Sequence, residues 1–394
     1  MFINRLNQIN PNTKFIVLCF GVFLGFLCIG IPLPILPEFI HNNLGMTMFI
    51  AGVGVGLQSL VTVITRRFAG QYADTVGARE STRRGFLICS LAAILYFISA
   101  LAAANPILAI AALFAGRIAL GMGESFMLTG ILTWGIEILG PSQSGKVMSW
   151  NGIAMYGAIA IGAPIGLWSY SKFSFLGVAG IVLLLPMIGY LIASSFTHVR
   201  LENTSKVKPS FVKTVQKIWS FGLGFALGGV GFGALSAFIA LVFKSRGWEN
   251  SGYALLIFGF CYIGVRLVAG HLPDKTGGRS VAIVSLVLEI LGQICLWTAN
   301  EPTTAFIGVA LTGIGFSLLF PAFGVQALKQ VPPESKGTAL GAFSAFFDIA
   351  LGLTAPICGL IIESSKIQNI YLFGTLAALI AFFIATRKKE SCCS

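Results

Sequence analysis

The sequence predicts an all-α membrane protein with twelve transmembrane helices in two parallel six-helix repeats. Of its 394 residues, 56% are hydrophobic and 10% are charged, whereas soluble globular proteins carry about 25% charged residues. Apolar runs of about 20 residues, long enough to span a bilayer as a helix, follow one another along nearly the whole chain. In addition, a polar motif of the first half returns 200 residues later.

The helices are delimited by Pro, Gly, Asn and charged residues between the apolar runs. The first run follows Lys14 and is too long for a signal peptide, so we expect a retained helix. The longest polar stretch follows the sixth helix, which predicts an N-terminal bundle at 1–198, a cytoplasmic linker at 199–215 and a C-terminal bundle at 216–394. The predicted spans lie near 15–36, 48–72, 85–104, 107–138, 147–170, 175–196, 216–243, 252–272, 280–299, 303–329, 337–363 and 369–386.

The basic residues predict the orientation of these helices. Of the 26 Lys and Arg residues, 21 fall at the end of the predicted bundle that holds both termini and four at the opposite end. This is the positive-inside asymmetry, so both termini should be cytoplasmic. Topology thus explains the net charge of +12 without a nucleic-acid partner. The expected partner is the lipid bilayer, and a multi-pass protein without a transit peptide or long extramembrane domains fits a bacterial inner membrane.

The repeated motif relates the two halves. The segment at 70–79 reads GQYADTVGAR, and the segment at 270–279 reads GHLPDKTGGR. Two parallel repeats around a midplane site are a transporter architecture, in which one half rocks against the other. The residues that recur are Gly70, Asp74, Gly77 and Arg79 in the first copy, and Gly270, Asp274, Gly277 and Arg279 in the second.

This double motif resembles the signature G-x-L-A-D-[RK]-x-G-[RK]-[RK] of the major facilitator superfamily, with departures at Tyr72, Thr75, Ala78 and Pro273. The resemblance covers essentially the whole chain. It implies a monomeric secondary transporter, not an enzyme, that moves a small molecule by alternating access without a cofactor. It also implies that helices one, two, four, five, seven, eight, ten and eleven surround the cavity.

The motif residues predict a cytoplasmic gate. Gly77 and Gly277 suit tight turns, where the backbone takes angles that other residues avoid. Asp74 and Asp274 can pair with nearby arginines in one state and separate in another, which would make a latch. The alternative is a solvated basic loop that only obeys the positive-inside rule.

Helix four carries two charges at membrane depth, Arg117 and Glu124, in a segment that resembles the R-x-x-x-G-x-G motif of proton-coupled members. Charges at this depth cost about 2.5–3.5 kcal/mol each and normally have partners. The two residues lie seven apart, so they can pair directly or engage different helices. Either they form a fixed ion pair that holds helix four, or Glu124 exchanges a proton under the influence of Arg117.

Other polar residues near mid-helix are candidates for the substrate cavity and for proton coupling. Asp348 in helix eleven is the strongest, and it occupies the repeat position of Tyr156 in helix five. A polar pair at matching positions predicts a site shared between the halves. Gln58 and Gln326 are further candidates, although amides also link helices by hydrogen bonds. Glu289 lies in helix nine, outside the implied cavity, so we expect a structural carboxyl there.

Helix five predicts a kink at Gly162, Pro164 and Gly166. The exporter signature of the superfamily ends G-P-x-x-G here, but Ala163 stands between Gly162 and Pro164. The glycine-rich start of helix seven likewise indicates close packing or a bendable gate.

Enzyme and metal sites are not expected. The three His residues are scattered at helix ends, whereas an enzyme needs clustered catalytic side chains and a metal needs grouped ligands. The sequence therefore predicts an exporter of a small polar organic solute, such as a sugar, a drug or a siderophore-like metallophore, driven by proton antiport. The alternative is a proton-coupled uptake symporter.

Overall fold

The computed structural model describes residues 10–140, 143–196, 211–332 and 336–387. These stretches are helical and contain no strand, which confirms the predicted all-α fold. The first half holds α1 (Pro11–Gly30), α2 (Met48–Thr75), α3 (Ala78–Leu101), α4 (Pro106–Leu139) and the long helix Ser144–Ser195, which contains α5 (144–173) and α6 (175–195). The second half holds α7 (Phe211–Gly228 and Val230–Ser245), α8 (Gly252–Ala269), α9 (Gly278–Thr298), α10 (Pro302–Ser317 and Leu319–Leu328), α11 (Lys336–Ser364) and α12 (Asn369–Thr386).

The long helix Ser144–Ser195 accounts for two of the predicted spans. Its 52 residues would extend for about 78 Å, more than twice the apolar thickness of a bilayer. Ser174 breaks it with a non-helical backbone (φ 54°, ψ −161°). Eleven helices of the described stretches are long and apolar enough to cross a membrane, and with this one divided at Ser174 they make the twelve spans.

Two predicted boundaries differ from the structure. The predicted linker at 199–215 lies mostly outside the described residues, but its last five residues already belong to α7, which begins at Phe211. The first helix starts at Pro11 and gives way to turns after Gly30. The chain then continues as short helical pieces, Leu36–Glu38 and Phe39–Asn43, because Pro32, Pro34 and Pro37 remove backbone donors that a regular helix needs.

The parallel repeat is visible in the packing of glycines. A Cβ on Gly123 of α4 would lie 2.9 Å from the backbone nitrogen of Cys89 on α3, and a Cβ on Gly315 of α10 would lie 2.7 Å from that of Glu289 on α9. The same contact is therefore made in both halves. The residues of α2 and α3 are structurally equivalent to those of α8 and α9 at an offset of 200. The residues of α4 and α5 are equivalent to those of α10 and α11 at an offset of 192.

The outer surface of the bundle is apolar. Ile107 on α4 and Val268 on α8 are 78% and 77% exposed, and large apolar side chains are exposed on many other helices. An apolar surface of this extent needs a hydrocarbon environment. The chain is a multi-pass membrane protein.

The halves meet along two helix pairs, α2 with α11 and α5 with α8. We call the end of the bundle at which α1 starts and α12 ends the terminal end, and the end that holds the α1–α2 connection the distal end. At the distal end the Phe49 amide donates to Glu363 Oε1 (3.0 Å), and Lys244 Nζ pairs with Glu38 Oε1 (2.5 Å). These contacts join the halves, so the structure is closed at its distal end.

Candidate functional site

A line of polar side chains follows one face of α2. Gln58, Thr62 and Arg66 are spaced four residues apart, so successive members lie one above the other on the helix. Gln58 and Thr62 are buried, at 3% and 1% exposure. Buried polar groups need hydrogen-bond or ion-pair partners. The partners of this line lie on α4 on one side and on α11 on the other.

Glu124 of α4 is the partner at the buried end of the line. Its Oε2 accepts hydrogen bonds from Gln58 Nε2 (2.8 Å) and Thr62 Oγ1 (3.1 Å). The helices can approach this closely because Gly121 has no side chain, and a Cβ there would overlap the Gln58 carbonyl. The sequence-predicted residues Glu124 and Gln58 are thus in direct contact, whereas Thr62 was not predicted.

Asp348 of α11 is the partner at the other end. Its Oδ2 lies 2.7 Å from Arg66 Nη2, with 14% of the Asp348 side chain and 23% of the Arg66 side chain exposed. The pair joins the N-terminal half to the C-terminal half. The sequence did not predict that Arg66 pairs with Asp348, because which helices face each other cannot be read from the chain.

Arg117 does not pair with Glu124 in the structure. Its guanidinium donates to the carbonyls of Gly54 (2.8 Å) and Val55 (2.6 Å) on α2 and to Tyr96 Oη (3.3 Å) on α3. The sequence allowed a direct pair of Arg117 with Glu124 or separate partners for each residue. The structure shows separate partners. These contacts hold α4 against α2 and α3, and the predicted influence of Arg117 on proton exchange at Glu124 stays a prediction.

Tyr156 lies in an aromatic cluster, although it belongs to the N-terminal half. Its ring centroid is 4.1 Å from that of Tyr262, 5.4 Å from that of Phe232 and 5.7 Å from that of Phe316. Within the described residues no hydrogen bond connects it to Asp348, its repeat equivalent. The sequence analysis missed this cluster because single aromatic residues are common in apolar helices.

The repeat makes the asymmetry of the site visible. The equivalents of Gln58, Thr62 and Glu124 in the second half are Phe258, Tyr262 and Phe316. One wall between the halves is therefore polar and charged, and the matching wall is aromatic. The sequence shows this difference between the two walls only when the halves are aligned at the offsets of the repeat.

Gln326 is separate from this arrangement. Its amide donates to the Ala322 carbonyl of its own helix (3.1 Å), and its Cγ packs near Gly278 at the start of α9. These contacts help α10 pack against α9, and the predicted place of Gln326 in the cavity stays a prediction.

The gate motif forms equivalent contacts at the terminal end of both halves. Gly77 and Gly277 have φ of 122° and 90° and precede α3 and α9. Arg79 donates to the Ala193 carbonyl at the end of α6 (3.3 Å), and Arg279 to the Ala385 carbonyl at the end of α12 (3.2 Å). Cations suit the carbonyl ends of helices. These arginines tie neighbouring helices of one half together.

The other motif residues are more open. Asp74 and Asp274 are exposed, so the predicted latch stays a prediction for a state closed at the terminal end. A Cβ on Gly70 would contact nothing within 4 Å, whereas one on Gly270 would overlap the Arg266 carbonyl.

The predicted kink in α5 is a site of close packing. The backbone remains helical through Pro164. A Cβ on Gly162 would lie 2.9 Å from the carbonyl carbon of Gly30, and one on Gly166 would overlap the carbonyl of Ile31. The glycines thus let α5 approach the end of α1.

Comparisons with known proteins agree with this architecture. The family model described as "Major Facilitator Superfamily" matches residues 18–277 and 250–391. An uncharacterised MFS-type transporter of Salmonella typhimurium is 42% identical over 362 residues, which cover 91% of this chain and 92% of that protein. One from Burkholderia mallei is 40% identical over 366 residues, covering 92% and 89%.

Solved structures share the fold at low sequence identity. A variant of the nucleoside transporter NupG superposes with a TM-score of 0.76 at 16% identity, covering 94% of this chain and 98% of that one. The human organic anion transporter MFSD10 (TETRAN) gives a TM-score of 0.71 at 16% identity, covering 96% and 100%.

Proposed function

The chain belongs to the Major Facilitator Superfamily and is a secondary transporter, not an enzyme, and we propose that it exports a small polar organic solute by proton antiport. The proposal rests on one observation. A line of polar groups runs from Glu124 through Gln58 and Thr62 to Arg66, and the ion pair of Arg66 with Asp348 continues it into the other half.

The ion pair supplies a physical basis for coupling. A proton on Asp348 removes its charge and leaves Arg66 without its counter-charge, which is unfavourable at membrane depth. Arg66 can then turn to the neighbouring carboxyl, Glu124, or to the solute. Because the pair joins the halves, a proton or a solute that displaces it changes the relative stability of the two access states.

The asymmetric walls bear on the kind of solute. Glu124 and Asp348 offer carboxyl oxygens to hydroxyl, amine or ammonium groups, and the aromatic wall offers ring faces to a flat or apolar portion. Sugars, drugs and siderophore-like metallophores combine such portions. We keep all three classes as candidate cargo.

We also propose the orientation and location. By the positive-inside rule the terminal end faces the cytoplasm, in a bacterial inner membrane. The distal end, where the halves are joined, then faces outward, and the state described here has its closed side outside. A monomer suffices for this cycle.

Uptake by proton symport is the alternative. Its support is Ala163, which separates Gly162 from Pro164 where the exporter signature of the superfamily has them adjacent. Antiport and symport differ only in whether the proton and the solute move in opposite directions or in the same direction.

The test is a flux measurement in liposomes that contain the purified protein and an internal pH dye. Sugars, cationic drugs and siderophores are added in turn. Antiport is expected, with protons moving opposite to the solute. Protons that move with the solute would establish symport, and transport without a proton response would establish a uniporter.

Variants locate the coupling. Asp348→Asn and Glu124→Gln should abolish solute-driven proton flux while the protein stays inserted, because each removes one titratable carboxyl of the line. Glu301→Gln is the matched control, since Glu301 is exposed at the start of α10. Full proton coupling in Asp348→Asn would refute the assignment.

A further inference from the structure

A second buried polar cluster lies in the C-terminal half, apart from the line on α2. Glu289 and Gln293 are four residues apart on α9, and both are fully buried at 0% exposure. Both contact the same point of α7. A Cβ on Gly231 would lie 2.9 Å from Glu289 Oε1 and 2.8 Å from Gln293 Cδ, so the carboxyl and the amide lie side by side.

The cluster has acceptors in excess of donors. Gln293 Nε2 donates to Thr312 Oγ1 of α10 (3.1 Å), but Glu289 Oε1, Glu289 Oε2 and Gln293 Oε1 have no partner among the described residues. Unpaired buried acceptors are costly, and an unpaired buried carboxylate is costlier still. One proton removes the charge and supplies a donor to the cluster, because a carboxylic acid is neutral and carries an O–H.

The helices packed around Glu289 bring no counter-charge in the described stretches. Gly228 and Gly231 face it from α7, and Gly315 from α10. On α12 the titratable residue at this level is Tyr371, one turn from Gly374, which packs against Gln293. The Tyr371 hydroxyl is itself buried without a partner.

Packing alone does not require this carboxyl. The repeat equivalents of Glu289 and Gln293 are Cys89 and Ala93, and they support the same close contact of helices, α3 with α4, in the first half. An ionisable residue retained in a membrane interior is costly and commonly functional.

The wall that α7 forms against the cluster is next to a break. α7 is interrupted at Gly229, whose amide hydrogen-bonds to the carbonyls of both Phe225 (3.0 Å) and Ala226 (3.1 Å). Gly231 lies two residues beyond it. Breaks of this kind are places where a helix can bend, so motion of α7 at Gly229 would uncover the carboxyl.

We propose that Glu289 and Gln293 form a second proton-binding site, which holds its proton while α7 lies against α9 and exchanges it when α7 moves at Gly229. The site is independent of the line on α2. It stands whether or not Glu124 and Asp348 carry the coupled proton.

The test is infrared spectroscopy of the full chain in lipid, with the glutamate carboxyls isotope-labelled, between mildly acidic and mildly alkaline pH. Wild type should show the C=O band of a protonated glutamate at neutral pH, and Glu289→Gln should lose it. Glu301→Gln is the control and should keep it. An unchanged spectrum in Glu289→Gln, or loss of an ionised carboxylate band instead, would overturn the proposal.

Two further measurements keep the test decisive if Glu289→Gln does not fold. Gln293→Leu should keep the band but move it to higher wavenumber, because the acid loses its acceptor; an unmoved band contradicts the contact. Replacing sodium by choline in the buffer should leave the wild-type band unchanged. A band that follows sodium concentration and not pH would identify a sodium site in place of a proton site.

The role of α7 is tested by the rate at which the acid exchanges its proton for deuterium. A Cβ at Gly231 would displace the ends of both side chains, so Gly231→Ala should loosen the contact of α7 with the cluster and accelerate exchange. Gly264→Ala is the matched control, since a Cβ there contacts nothing within 4 Å. Equal rates in the two variants would show that α7 does not cover the site.

Discussion

Closure of the distal end depends on glycines where α2 meets α11, and a single methyl group should oppose it. A Cβ on Gly56 would overlap the Gly352 carbonyl oxygen and lie 3.0 Å from its carbon. Carbon contacts are normally about 3.5–4.0 Å. Since the obstacle is backbone and cannot rotate away, Gly56→Ala should force the two helices apart.

The size of the effect follows from the cost of overpacking, about 1–3 kcal/mol. This cost falls only on the state in which α2 and α11 are packed at the distal end. The ratio of distal-closed to distal-open molecules should therefore fall by about 5- to 150-fold, since each 1.4 kcal/mol is a factor of about ten.

The populations can be measured without knowing the solute. Spin labels at Asn42, in the α1–α2 connection, and Glu249, in the α7–α8 connection, report the distance between the halves at the distal end. In a background without native cysteines, Gly56→Ala should move the distance distribution toward longer values.

Gly180→Ala is the matched control, because a Cβ at Gly180 of α6 contacts nothing within 4 Å. Its distance distribution should equal that of the parent. An unchanged distribution in Gly56→Ala would refute the claim that α2–α11 packing closes the distal end. A shift in both variants would show a general loss of packing.

Three further predictions concern stability, measured by thermal unfolding in detergent. Asp348→Asn and Arg66→Gln should each lower the free energy of unfolding. The loss in the double variant should be smaller than the sum of the two single losses by about 1–3 kcal/mol. Additive losses would argue against the ion pair. Arg117→Gln should cost about 3 kcal/mol, because it removes charged hydrogen bonds to two buried carbonyls, and a wild-type melt would contradict this role. Gly77→Ala should cost about 1–2 kcal/mol, since φ is 122° there, whereas Gly70→Ala should not; equal melts would refute the strain argument.

The sequence predicted the membrane class, the number of spans and the repeat because these depend on local properties of the chain. Segment length and apolarity decide whether a helix crosses the bilayer. The recurrence of Gly77 and Arg79 as Gly277 and Arg279 related the halves before any contact was known. Mid-membrane charges such as Glu124 and Asp348 were visible for the same reason, since they interrupt apolar runs.

The tertiary structure decided which of these residues meet. Arg117 and Glu124 lie on one helix, yet each has separate partners on α2, and the Gln326 amide donates to a carbonyl of its own helix. The Arg66–Asp348 pair and the placement of Tyr156 among aromatic residues of the other half arise only when α2 packs on α11 and α5 on α8. Spacing along a helix determines which face a side chain occupies, but the identity of the helix on that face is a property of the assembled bundle.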